Sequence, residues 1–449
     1  MHIELDRSHD PHRKSWIKSA HDSTTDFTLN NLPWCAARSA EGGPAQVGTR
    51  VGNQFIPVYP IAQANLLNGL DGITPELFIG ETLSKSLLSL TPSQRTALRL
   101  RLFDLLEEGA STDQQTIIRS HMVSVDQLTF IRPINVGDYT DFYASVHHAT
   151  NVGLMFRPNN PLLPNYKWIP VGYHGRASSV VVSETLVHRP EGQLTPIEEG
   201  QAPAFGPCKL LDYELEMGAV VGQGNELGQA ISIEDAENHL FGLTLLNDWS
   251  ARDIQKWEYQ PLGPFLAKNF LTTISPYIIT MEALAPFRVP AEVRPESDPQ
   301  PLPHLYSEHQ MSHGGVDVEL KVWLSTAQMR AQNLAPMQLS ESRFSAMYWT
   351  LAQMLTHHSS SGCNLQPGDL FGSGTVSGPN RNQRGCLLEL TWDGSKETPL
   401  PTSSRTPIQL PTGEERKFLA NGDEITLSGQ CVASNGLRIG FGKCRGRIV

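Results

Sequence analysis

The chain has 449 residues, 39% hydrophobic and 18% charged, with 46 acidic against 35 basic side chains and a formal net charge of −11. Such a composition supports buried cores in several domains and excludes disorder as the main state, while the acidic balance argues against nucleic-acid or anionic-membrane partners, whose phosphates call for a positive field. No run approaches the ~20 apolar residues of a membrane span, and Met1 to Asp10 is charged and His-rich where an apolar signal core would stand, so a cytoplasmic location is expected.

Frequent glycine and proline, 37 and 32 residues, predict strands joined by turns, with few long helices. The first part mixes short extended pieces, such as Arg50 to Val58, with one clear helix. Thr91, Pro92 and Gln94 make a capping box with proline at the first helical position, and Leu98, Leu102, Leu105 and Leu106 recur at helical spacing until Gly109. A boundary is placed where strand patterns become dense, giving domains 1–128 and 129–449.

Beyond it, Tyr139 to Tyr143 is followed by His147-His148-Ala149-Thr150-Asn151. A histidine suits a general base because its reference pKa of ~6.5 lets it take a proton from water near neutrality. The residues alone do not choose between His147 and His148. Pro170 to Arg176 and Gly372-Ser373-Gly374-Thr375 are Gly-flanked polar loops where backbone can approach a ligand closely. Lys209 to Val221 reads as one strand, with Leu211, Tyr213, Leu215 and Met217 on one face and Asp212, Glu214 and Glu216 on the other. A solvated outer face is the plain explanation of the carboxylates. The unalternating Gly218 to Val221 instead suggests a strand covered on both sides, where carboxylates repel unless a hard divalent cation neutralises them.

A short helix is expected from Ser232. The segment Asn247 to Tyr259 then mixes carboxylate, guanidinium, amide and indole; it is either a surface helix with Asp248 and Arg252 paired, or the mouth of a pocket. Six prolines between Pro286 and Pro303 predict a long surface loop or an excursion toward a partner subunit. A second helix is expected from Phe344 to His358. The cysteines, Cys35, Cys208, Cys363, Cys386, Cys431 and Cys444, include no Cys-x-x-Cys pair and are read as reduced structural thiols. Walker, Rossmann, nucleophile-elbow and His-Glu-x-x-His motifs are all missing from the sequence.

In this order and spacing the segments resemble the fumarylacetoacetate hydrolase family. The similarity runs from about Asp138 to Gly442. It includes His148 to Gly153, Leu211 to Met217, Asn247 to Tyr259, and Thr356-His357-His358 with Gly362-Cys363-Asn364-Leu365. Residues 1–125 match more loosely, through Ile56-Pro57 and the Thr91 helix. The resemblance implies a mainly β (α+β) fold, an N-terminal SH3-like small β-barrel domain followed by a mixed β-roll catalytic domain, assembled as a homodimer. It implies metal-dependent hydrolysis of the carbon–carbon bond of fumarylacetoacetate to fumarate and acetoacetate, the last step of tyrosine and phenylalanine breakdown.

By the same resemblance, calcium ligands fall on Asp141, Glu214, Glu216 and Asp248. The base falls on His148, oriented by Glu389. Groups that hold substrate or stabilise charge fall on Tyr143, Arg157, Tyr173, Arg252, Gln255, Tyr259, Lys268 and Thr375. A second, structural cation of the magnesium type is implied near Asp248, Lys268 and Thr272, although Ala267 and Leu271 stand where the animal pattern has glycine. Two other readings compete: a different metal-dependent keto-acid hydrolase or decarboxylase of the superfamily, and a non-catalytic divalent-cation-binding protein. The latter needs the carboxylates but neither His148 nor Glu389.

Overall fold

The computed structural model describes residues 4–449 except 197 and 199. Five antiparallel strands open the fold: Trp34–Ser39, Gln46–Val51, Gln54–Pro57, Val123–Ser124 and Leu128–Ile131. Their spatial order puts the fourth at one edge and the fifth at the other. Those two edge strands are joined only by the 3₁₀ turn Val125–Gln127, so the sheet must curl until its edges approach, which makes a small SH3-like barrel. The barrel keeps the chain as far as Ile131, where it pairs with Ala36.

The Thr91 helix forms as Pro92–Leu106. Thr91 Oγ1 accepts from Gln94 N at 3.3 Å and Gln94 Oε1 from Thr91 N at 3.0 Å. It ends before Gly109, because Glu107 is already extended. A helix not foreseen, Thr112–His121, uses the same cap at Ser111 and Gln114 but buries only Ile118, too little apolar periodicity to signal it.

The N-terminal part is built onto the rest. Trp34 and Ile278 exchange two backbone hydrogen bonds of 2.9 Å, and Arg95 Nε meets Glu282 Oε1 at 2.8 Å with both side chains buried.

At the centre lies an eight-stranded mixed sheet. Its path runs Gly172–Gly175, Tyr139–Phe142, Leu370–Gly372, Leu215–Val221, Leu240–Asp248, Thr272–Ile274, Val180–Val182, with Ile279–Thr280 also on Leu240–Asp248. Leu370–Gly372 runs parallel to Tyr139–Phe142 and antiparallel to Leu215–Val221. The Leu215–Val221 and Leu240–Asp248 strands are buried along their whole length, as nearly continuous apolar strands covered on both faces should be. A four-stranded antiparallel sheet, Met337–Arg343, Glu319–Ser325, Glu424–Val432 and Arg438–Arg447, packs over them, with Leu243, Leu245, Leu320, Leu427 and Phe441 in the shared core.

Four expectations change. Lys209 to Val221 is not one strand: Leu211–Asp212 pairs with Ser250–Ala251, and Leu215–Val221 joins the central sheet. Between them the N–H groups of Tyr213 and Glu214 go to side chains, Asp212 Oδ1 at 2.9 Å and Asn247 Oδ1 at 3.1 Å, in place of strand carbonyls. Phe344 to His358 splits into a 3₁₀ turn, Phe344–Ala346, and a helix, Leu351–Ser359, because Thr350 and Gln353 cap a fresh start. Ser232 caps a turn at Asp235, and only the 3₁₀ segment Ala236–His239 follows. Gly172–Gly175 is a strand and not a loop, its glycines passing close over Phe142 and Tyr139.

The Pro286 to Pro303 segment is mostly irregular, but Arg294 stacks on Tyr348 and Trp349 at 4.3 and 4.4 Å and the buried Asp298 pairs with Lys167, so the loop is tied to its own chain. Among the described residues, no helix is long and apolar enough to cross a membrane.

Candidate active site

Three strands of the central sheet bring three carboxylates together. Asp141, Glu216 and Asp248 are buried, and one oxygen of each lies within 4.8 Å of the others. Gly372 sits on the strand between those of Asp141 and Glu216, and a Cβ there would stand 2.9 Å from an oxygen of each, so glycine is what lets the carboxylates close in. Asp141 Oδ1 and Glu216 Oε1 have no hydrogen-bond partner. Burial and the neighbouring Asp248 push the Asp141 carboxyl up to about 8, and burial with Asp141 and Asp248 pushes Glu216 well above the usual range. Buried acceptors without donors are rare in native proteins, and an all-oxygen, anionic trio fits a hard divalent cation.

Glu214 stands outside this trio. Its Oε1 takes Arg252 Nη1 at 2.6 Å, Lys268 Nζ at 2.9 Å and Ser250 Oγ at 3.0 Å. Burial works against its charge, but Lys268 and Arg252 outweigh burial and hold it well below the usual carboxylate range. Asp248 is shared: Oδ2 accepts from Lys268 Nζ at 2.7 Å and Oδ1 from Thr272 Oγ1 at 2.8 Å, with the Tyr173 hydroxyl 3.4 Å from Oδ2. Lys268 is kept protonated by Asp248 and Glu214 against the effect of its burial, so its side chain brings counter-charge and no lone pair.

His147 and His148 lie on a helix, Val146–Phe156, that the sequence did not announce and that gives them different surroundings. His148 is buried with Nδ1 2.6 Å from Glu389 Oε2; His147 is half-buried on another face and takes no part in this pair. Glu389 also accepts from Asn151 Nδ2 and Ser377 Oγ, each at 2.8 Å, and from the Cys386 thiol at 3.3 Å. Burial raises the Glu389 carboxyl, but the charge of His148 and these hydrogen bonds prevail and bring it down to about 2. An ionised Glu389 can only accept, so Nδ1 of His148 donates to it and Nε2 is the ring nitrogen that Glu389 leaves unengaged.

Arg252 opens the helix Arg252–Glu258, with its Nη2 buried and unpartnered. Arg157 ends the His148 helix with a buried, unpartnered Nε, and Thr375 Oγ1 is likewise unpartnered. The Tyr143 ring stands edge-on to His148 at 5.2 Å. Gln255 Oε1 accepts from Arg252 Nη1 at 3.2 Å, whereas the Tyr259 hydroxyl meets Gln260 at 3.2 Å and reaches none of the carboxylates. A cleft of about 930 Å³, lined by Arg50, Phe130, Tyr277, Lys321 and Arg438 among others, lies elsewhere and includes none of these groups.

Residues 138–449 match the fumarylacetoacetate (FAA) hydrolase C-terminal family, and residues 30–133 match the fumarylacetoacetase N-terminal family. The chain belongs to the fumarylacetoacetate hydrolase family. Fumarylacetoacetase of Dictyostelium discoideum is 45% identical over 440 residues, covering 97% of this chain and 98% of its own. That of Homo sapiens is 44% identical over 450 residues, with 97% and 98% covered. A solved fumarylacetoacetate hydrolase from psychrophilic Exiguobacterium antarcticum superposes over 93% of this chain and 99% of its own, at 15% identity and a TM-score of 0.47.

Within the family's C-terminal segment, sequence reasoning missed the parts of Asn151 and Ser377 and misjudged what Gly372 approaches. Asn151 was within reach, since it follows His148 by three positions and shares its face once a helix is recognised. Gly372 was noticed as a glycine near a ligand, whereas what it approaches is a pair of carboxylates.

Proposed function

We propose that the chain hydrolyses the carbon–carbon bond of fumarylacetoacetate to fumarate and acetoacetate, closing tyrosine and phenylalanine breakdown. The observation that carries this reading is the His148–Glu389 pair, a water-activating base beside a buried carboxylate trio, in a chain whose full-length relatives are fumarylacetoacetases. Calcium is the ion proposed for Asp141, Glu216 and Asp248, with Glu214 behind them. Bound there, it supplies Lewis-acid polarisation of the diketone oxygens. A second, magnesium-type ion would draw on Asp248, Thr272 and main-chain oxygens near Lys268 and Leu271; the Lys268 ammonium offsets the charge of Asp248 and Glu214 and would not be a ligand.

The rest falls to the chain's own groups. His148 Nε2 takes a proton from water as the water oxygen bonds to the attacked carbonyl carbon, and Glu389 steadies the imidazolium. Arg252 Nη2, Gln255 and Lys268 donate to the oxyanion that develops. The carbon–carbon bond then breaks, its electron pair leaves with the acetoacetate fragment, and the proton held by His148 returns to that carbon. Arg157, Tyr143, Tyr173, Tyr259 and Thr375 are suited to holding the substrate's carboxylate ends.

The proposal includes an SH3-like N-terminal domain and a catalytic domain, divided near residue 128; the Leu128–Ile131 strand supports a division a few residues later. It also includes a cytoplasmic homodimer. Five buried cysteines without disulfides suit a reducing compartment, and the exposed Trp257, Leu262 and Phe265 offer apolar surface to a second copy.

A decarboxylase needs no hydroxide, so the His148–Glu389 pair favours hydrolysis over that reading. Turnover of fumarylacetoacetate in heavy-oxygen water tests the choice. Equimolar fumarate and acetoacetate with label in a newly formed carboxylate are expected; carbon dioxide release, or unlabelled products, would overturn the proposal.

A further inference from the structure

Asp212 lies outside the carboxylate trio and does not touch His148, yet it is fully buried and takes four donors. Oδ1 accepts from the backbone N–H groups of Tyr213 at 2.9 Å and Leu387 at 2.8 Å; Oδ2 accepts from Leu388 N–H at 2.9 Å and Arg252 Nε at 3.0 Å. The two ends of this connection lead to different halves of the site. Leu387 and Leu388 open the short helix Leu387–Leu390, whose third residue is Glu389, the partner of His148. Arg252 spends Nε on Asp212 and Nη1 on Glu214 and Gln255, which leaves the buried Nη2 as its free donor.

A guanidinium is planar and rigid, so anchoring Nε and Nη1 dictates where Nη2 points. The helix is a single turn, too short to hold its own orientation, and its opening N–H groups have no partners within it. The base and the cation come from chain segments far apart in sequence, and Asp212 bonds to both. Resting on the hydrolytic reading above, we propose that Asp212 is a positioning residue that holds the His148–Glu389 base and the Arg252 donor at a fixed separation, so that water activation and oxyanion stabilisation act on the same carbonyl. Displacements of about 1 Å in such groups cost on the order of 10²-fold in rate.

Asp212→Asn keeps the shape, removes the charge and turns an amide NH₂ toward donors. In folded, calcium-loaded protein, kcat should fall by about 10²-fold with KM within about threefold, because Asp212 does not touch substrate. The acid limb of the kcat/KM profile and the low-field NMR resonance of the His148 Nδ1 proton should both move, as Glu389 loses its seat. Arg252→Lys removes the Nε donor from the other side; it should shift the same His148 resonance, and combined with Asp212→Asn it should cost less than the product of the two single losses.

A cap that serves stability alone would lower Tm while leaving the resonance, the acid limb and kcat unmoved. That result, or strictly multiplicative losses with an unmoved resonance in Arg252→Lys, would overturn the proposal. If Asp212→Asn does not accumulate, Asp212→Glu and Arg252→Lys carry the same readouts. A wild type inactive on fumarylacetoacetate sinks the hydrolytic reading instead, and the resonance still reports on Asp212.

Discussion

Two adjacent histidines differ in what they touch, and their substitutions should differ accordingly. His148→Ala removes the Nε2 lone pair and should lower kcat by roughly 10² to 10⁴ with little change in KM, while His147→Ala should do far less. Equal effects in steady-state kinetics would withdraw the assignment of the base. The carboxylates make a second prediction through their protonation. In the ion-free protein Asp141 holds its proton up to about 8, whereas the unfolded chain releases it near ~3.9. As pH rises through that window the unfolded state ionises first, so stability present below it is progressively lost. Thermal melts in chelator should show Tm falling from acid pH to about 8, and excess calcium should flatten the trend. A pH-independent Tm in chelator would mean that the trio does not carry the strain of like charges.

An element contributes more than the side chains it displays, as the Leu370–Gly372 strand makes plain. Gly372→Ala inserts a methyl 2.9 Å from both Asp141 and Glu216 and should weaken calcium binding by roughly 10- to 100-fold, read by titration calorimetry, with the fold retained. Undiminished affinity would show that the carboxylates move aside freely. Such relations between strands are where sequence reading stopped. The Pro92–Leu106 helix was legible because its cap and leucine spacing are local. The break at Tyr213 and Glu214 was not, because it is made by Asn247 across the sheet. Nor was the His148 helix, diluted by Val146, Thr150, Val152 and Gly153. Glu216 was legible as a residue of a covered strand, whereas Glu214 falls in the break before it, and their division of labour depends on Arg252 and Lys268, which fold in from later segments. The partner of His148 lies 241 residues along the chain, beyond any periodicity.

Over the whole molecule, the two ends of the fold share one buried ion pair, Arg95 with Glu282, between the Pro92–Leu106 helix and the helix Met281–Leu284. Glu282→Gln should cost about 3 to 5 kcal/mol in denaturant unfolding, since it strands a buried guanidinium, while the paired change Arg95→Met with Glu282→Met should recover most of that loss. A paired variant as unstable as the single one would show that the ion pair itself supplies the docking energy. The placing of Leu370–Gly372 reaches further. It is the ladder between the strands of Asp141 and Glu216, yet it follows them both in the chain by well over a hundred residues. On a ribosome the polypeptide emerges with every carboxylate of the trio long before the strand that unites them. A nascent chain halted ahead of Leu370 should therefore carry all three carboxylates of the trio and yet bind a divalent cation far more weakly than the full chain, because the strand that holds them together has not been made.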